Sequence, residues 1–118
     1  MQVSSLALGI DLGTTGLRIA IINTNKQILY TSSIPYSTGL EIWEDWIYCL
    51  KQLTQEIPKD LKEKLVSCSI AATSGTLLAC KKNGIPLGKA LPYFLSSSEY
   101  EKEIASLFLK ECPGSSIS

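Results

Sequence analysis

The spacing of apolar residues changes along this chain, and each change marks an element. Residues 6–11, 17–22 and 27–33 carry short apolar runs separated by tight polar turns, the second turn being Asn23-Thr24-Asn25-Lys26. Runs of that length with such short connections predict three successive strands in an antiparallel meander. The period then lengthens. Trp43, Trp46, Ile47, Leu50, Leu53 and Ile57 fall at helical spacing along one face. Thr38-x-x-Glu41 ahead of them has the pattern of a capping box, and Pro58 ends the segment. Two tryptophans at i, i+3 on an apolar stripe suit a core face better than a stacking site.

Asp60-x-x-Glu63 fits the cap of a single helical turn, and residues 66–72 alternate like a strand. Residues 76–80 and 87–91 flank Lys81-Lys82-Asn83-Gly84, where Asn-Gly signals a type I′ hairpin. Ser98-x-x-Glu101 opens a last helix with the face Tyr100, Ile104, Leu107 and Phe108. Cys112-Pro113-Gly114 closes it, and residues 115–118 are expected to fray. Strands followed by a helix and a further strand give an α/β class.

Composition narrows the chemistry. At 118 residues the chain makes one domain at most, able to bury roughly 65% of its unfolded surface. Lysine plus arginine and aspartate plus glutamate number 11 each, so no net field favours nucleic acid or an anionic membrane. Histidine is absent, which removes His-based triads, bases and metal ligands. Cys49, Cys68, Cys80 and Cys112 lack C-x-x-C spacing, which argues against zinc. Free thiols in a reducing cytoplasm are the expected state. No secretory signal or membrane-length apolar segment is read, so the expected location is cytoplasmic.

The first turn carries the distinctive chemistry. Gly9-Ile10-Asp11-Leu12-Gly13-Thr14-Thr15-Gly16 sets one carboxylate at the mouth of a glycine- and threonine-rich turn. A carboxylate repels phosphate, yet it suits the water shell of Mg²⁺. The turn itself offers what phosphate needs, backbone N–H groups and hydroxyls. Gly13 and Gly16 are expected to take positive φ and to admit a ligand closely. A P-loop is excluded because Leu17-Arg18 follows the last glycine where Lys-Ser/Thr is required. A dinucleotide fingerprint is excluded by glycine spacing and by the strand-like segment that follows. The plain alternative is a hairpin turn in which Asp11 only caps a loop.

Ile10-Asp11-Leu12-Gly13-Thr14-Thr15-Gly16-Leu17-Arg18 resembles the first phosphate loop of the actin/Hsp70/sugar-kinase superfamily, and most closely that of FGGY-family carbohydrate kinases. Residues 69–78, with Thr73-Ser74-Gly75-Thr76, and then Asn83-Gly84-Ile85-Pro86-Leu87 are similar to a second block of that family. The Thr-Ser-Gly-Thr run resembles its pentulose-kinase branch. The resemblance covers residues 6 to about 93. It implies a ribonuclease H-like, actin-like ATPase fold, with this chain as a partial first domain whose mixed sheet opens in the three-stranded meander. It further implies that residues 1–118 are the N-terminal part of the first domain of a two-domain kinase. The activity implied is ATP-dependent phosphorylation of a sugar such as ribulose or xylulose.

By the same resemblance, Asp11 holds Mg²⁺ through water, and Gly13, Thr14, Thr15, Gly16 and Arg18 bind the ATP phosphates. Thr73, Ser74, Thr76 and Tyr93 are the expected sugar contacts, and the general base is expected beyond residue 118. The plain readings are a solvated strand residue for Arg18 and turn-forming hydroxyls for Thr73, Ser74 and Thr76. Many relatives carry an aromatic–x–Asp–x–Arg block after the hairpin. Here Tyr93 keeps the aromatic, while Leu95 and Ser97 stand at the Asp and Arg positions. Two other readings follow: a non-catalytic remnant or interaction module, and an actin- or Hsp70-type ATPase, against which the Thr73–Leu87 block argues. An incomplete sheet is expected to leave an edge or an apolar face uncovered and to drive self-association, and this chain alone is expected to be inactive.

Overall fold

The computed structural model describes residues 5–94, 102–103 and 105–106. The chain divides into two compact units, Met1–Thr73 and Ser74–Ser118.

In the first unit the meander forms as expected. Strand β1 (Leu6–Leu12) pairs antiparallel with β2 (Gly16–Ile22), and β2 pairs antiparallel with β3 (Ile28–Pro35). Strand β3 runs two residues past its predicted end, to Pro35. Helix α1 (Trp43–Gln55), a single turn α2 (Lys59–Lys62) and strand β4 (Leu65–Ala72) follow. Strand β4 returns parallel to β1, giving a mixed sheet in the order β3-β2-β1-β4.

Alternation sorts the strand side chains. Leu6, Leu8 and Ile10 of β1 and Leu17, Ile19 and Ile21 of β2 are buried on one face. Tyr36, Leu40 and the α1 residues Cys49 and Leu53 join them, with Ile57 just beyond the helix. Asp11 and Arg18 are thereby left on the opposite face.

Several local expectations change. The helix starts at Trp43 behind Ile42, with no side-chain cap, so Thr38-x-x-Glu41 is not a capping box. Asp45 in the first turn reaches back instead, accepting from the Thr38 N–H at 2.9 Å and the Ser37 hydroxyl at 3.3 Å. Trp46 packs on the core and donates its indole N–H to the Leu40 carbonyl, as a core tryptophan should. Ile47, expected on that face, is exposed, and Cys49 takes its place. Strand β4 forms where predicted, yet its alternation produces no buried face. Helix α1 lies over β2 and β3, leaving Val66 and Ile70 exposed.

In the second unit, the two predicted segments form no continuous ladder; isolated bridges join Leu77 with Leu91 and Cys80 with Pro86, and the Leu87 N–H donates to the Ala79 carbonyl at 2.9 Å. The turn between them is not type I′. Gly84 N–H donates to the Lys81 carbonyl and Lys81 N–H to that of Ile85. Gly84 alone is left-handed there (φ 89°), the pattern of a three-residue loop closed by a glycine bulge. Of the predicted last helix, Lys102, Glu103, Ala105 and Ser106 are helical. Its face at Tyr100, Ile104, Leu107 and Phe108, and its ends, lie outside the described residues.

Candidate phosphate-binding site

The β1–β2 hairpin brings the predicted phosphate residues together. Register places Asp11 opposite Arg18 and Leu12 opposite Leu17, and the Gly13 N–H donates to the Gly16 carbonyl at 3.0 Å. Thr14 and Thr15 form the two-residue tip. The Arg18 guanidinium meets the Asp11 carboxylate at 3.0 Å, both side chains substantially exposed. Exposed pairs of this kind contribute at most about 1 kcal/mol. A ligand can therefore separate this one at small cost.

The left-handed backbone expected at the two glycines is not found. Neither Gly13 nor Gly16 has positive φ. A Cβ on Gly16 would lie 2.5 Å from the Ile34 carbonyl oxygen and 2.8 Å from the Pro35 Cα. Gly16 is thus needed for close approach of the loop to β3. Residues 13–18 and 33–35 enclose a hollow of about 190 Å³. Asp11 lines a neighbouring, broader concavity of about 430 Å³ over the bare sheet face, beside Gly9, Ala20, Thr31 and Ser69. Arg18 borders both.

The donors at this site suit one kind of Mg²⁺ binding. Among the described residues, no group of three or more acidic, cysteine or histidine side chains could cage a metal. A single half-exposed carboxylate fits Mg²⁺ of the kind held largely by water and phosphate oxygens.

Thr73 extends the parallel ladder beyond β4, its N–H donating to the Leu12 carbonyl at 3.2 Å. Asp11 and Thr73 thus stand at the C-terminal ends of the adjacent parallel strands β1 and β4, where α/β sheets commonly bind ligands. The other predicted sugar contacts lie in the second unit. Gly75, between Ser74 and Thr76, is left-handed (φ 78°), and a Cβ there would be 3.2 Å from the Tyr93 Cβ. The turn carrying Ser74 and Thr76 therefore passes against Tyr93. That ring is exposed and meets Phe94 edge to face, with centroids 5.3 Å apart. Leu95 and Ser97 lie outside the described residues.

Tyr36 was missed by sequence reasoning. Its hydroxyl donates to the Gly13 carbonyl at 2.8 Å and its N–H to the Thr15 carbonyl at 2.9 Å. Burial, then the nearby Cys49 and Asp11, push its hydroxyl pKa up to about 12. The one available signal was an aromatic directly after Pro35, beyond the predicted end of the third strand. Burial, and secondarily Asp45, likewise raise the Cys49 thiol. Among the described residues no helix is long and apolar enough to cross a membrane.

No protein-family model matches the chain. Solved structures match its fold. The chain is similar to a xyloylose kinase from Brucella ovis at a TM-score of 0.71 and 13% identity, over 89% of this chain and 25% of that one. It is similar to a glycerol kinase from Plasmodium falciparum, solved with ADP, at 0.61 and 19%, over 87% and 23%. A gluconate kinase from Lactobacillus acidophilus matches at 0.56 and 16%, over 91% and 23%. The chain spans about a quarter of the length of these structures. At such identities the likeness is one of fold, and the fold is the actin-like, ribonuclease H-like α/β fold of these kinases, present as part of a domain.

Proposed function

We propose that the intact protein is an ATP-dependent sugar kinase. In this reading residues 1–118 are the N-terminal part of the first of its two ribonuclease H-like domains, carrying the first phosphate loop and part of the sugar site. The observation that carries the reading is the hairpin loop 13–16 with the Asp11–Arg18 pair, set at the C-terminal end of β1 in a kinase-type fold. Thr14, Thr15 and the loop amides bind phosphate oxygens, and Arg18 leaves Asp11 to meet the transferring phosphoryl group. Asp11 orients hydrated Mg²⁺, which when bound neutralises charge on the phosphates. Thr73, Ser74, Thr76 and Tyr93 contact the sugar, and a pentulose is the preferred class.

A sugar hydroxyl oxygen attacks the γ-phosphorus, the new O–P bond replaces the bond to the β-phosphate oxygen, and ADP leaves. The hydroxyl proton passes to a base outside residues 1–118. Cytoplasmic location accompanies this reading, as the compartment of ATP and free thiols.

ADP release by the intact gene product, with Mg-ATP and a panel of pentuloses, pentoses, gluconate and glycerol, tests it. Turnover on one of them is expected, with none from the 118-residue chain alone. Leu95 and Ser97 favour a second reading, a non-catalytic remnant of the fold. Nucleotide binding without turnover on any member of the panel would select it.

A further inference from the structure

Tyr36 touches the loop at two carbonyls and does not line the hollow that the loop borders. A trans peptide is planar, its C=O and N–H directed oppositely. Drawing the Gly13 carbonyl toward the Tyr36 hydroxyl therefore turns the Thr14 N–H away from Tyr36. Drawing the Thr15 carbonyl toward the Tyr36 N–H does the same to the Gly16 N–H. One buried residue thus fixes two peptide planes of a four-residue loop, each with its N–H directed away from the Tyr36 atom that holds its carbonyl. Phosphate selects for this arrangement, because carbonyl oxygens repel it and N–H groups attract it. We infer that Tyr36 is a positioning residue of the phosphate loop, holding two carbonyls inward so that the Thr14 and Gly16 amides face anionic phosphate oxygens; the inference rests on the phosphate-loop reading above. The raised pKa keeps the hydroxyl a donor well above the neutral range.

Tyr36→Phe separates the two contacts, since it deletes the hydroxyl bond to Gly13 and leaves the backbone bond to Thr15. The probe is Mg-pyrophosphate, which bears phosphates without base or sugar, titrated into the ¹⁵N-labelled chain. In the wild type both amides should shift. In Tyr36→Phe the Thr14 response should be lost and the Gly16 response kept, with affinity lowered about tenfold, the worth of one charge-assisted hydrogen bond. A purely structural tyrosine would lower the melting temperature and leave the ratio of the two responses unchanged. A variant whose Thr14 amide responds as in the wild type overturns the inference alone. A wild type in which neither amide moves overturns the phosphate-loop reading and the inference with it. Should Tyr36→Phe not fold, the wild-type hydroxyl proton carries the test. Its exchange with water should stay slow or slow further as Mg-pyrophosphate binds, and faster exchange in the complex overturns the inference.

Discussion

Gly16 shows how a single residue can be required by the fold while sitting in the site. The sequence suggested left-handed backbone, and the structure shows a close approach to β3 instead. Gly16→Ala would force its Cβ into the Ile34 carbonyl and Pro35 backbone, neither of which can rotate aside. A loss of about 2–3 kcal/mol in urea denaturation is expected. Gly13→Ala, whose Cβ would meet the Gly16 carbonyl oxygen at 3.0 Å and the movable Arg18 guanidinium at 3.7 Å, should cost less. Equal losses at the two sites would contradict the assignment.

Tyr36 gives a second prediction at this scale. Its pKa rises from an ordinary 10.0 to about 12 in the folded chain. The folded state therefore holds this proton more tightly than the unfolded state does. The resulting stability is complete below pH 10.0 and is lost progressively as pH rises toward about 12. Tyr36→Phe lacks this term. The stability difference between wild type and variant should shrink across that window, and a constant difference would refute the burial assigned to the hydroxyl.

Elements whose period and punctuation agree were legible in advance. Strands β1 and β2 alternate strictly, and Pro58 stops the α1 segment as a proline should. What misled were signals with two structural outcomes. Thr38-x-x-Glu41 spells a capping box, but residues 39–42 close a separate turn, the Ile42 N–H donating to the Gly39 carbonyl at 3.2 Å, and the helix starts after it. Asn83-Gly84 predicts positive φ at both positions, and only Gly84 adopts it. The site was legible to the extent that it is local: Asp11 and Arg18 are seven residues apart and meet through hairpin register. Tyr36 was not, since its contact with Gly13 spans 23 residues and depends on where β3 ends. The start of α1 makes this testable. Asp45 replaces the missing cap by holding Ser37 and Thr38. Asp45→Ala should destabilise the chain by about 1–2 kcal/mol, while Thr38→Ala, which keeps the N–H, should be nearly neutral. Chemical denaturation of both variants decides between Asp45 and the capping box.

At the scale of the molecule, the sheet's two edges differ in how they are dressed. Strand β4 continues the core-facing rows of β1, Ile70 pairing with Ile10 and Cys68 with Leu8, yet α1 covers β2 and β3 instead. Val66 is 70% exposed and Ile70 67%, on a strand that carries no charged residue and no proline. Among the described residues no strand pairs with the outer edge of β4, and an apolar edge of that kind templates further strand pairing. We expect the 118-residue chain to self-associate through β4, its weight-average mass by light scattering rising with concentration. Ile70→Lys places a charge on the apolar row at the open edge while leaving the α1-covered core intact. That variant should return the mass to a monomer's at concentrations where the wild type associates. A wild type that stays monodisperse and monomeric, or an Ile70→Lys chain that associates equally well, would show that β4 is not the surface that joins the copies.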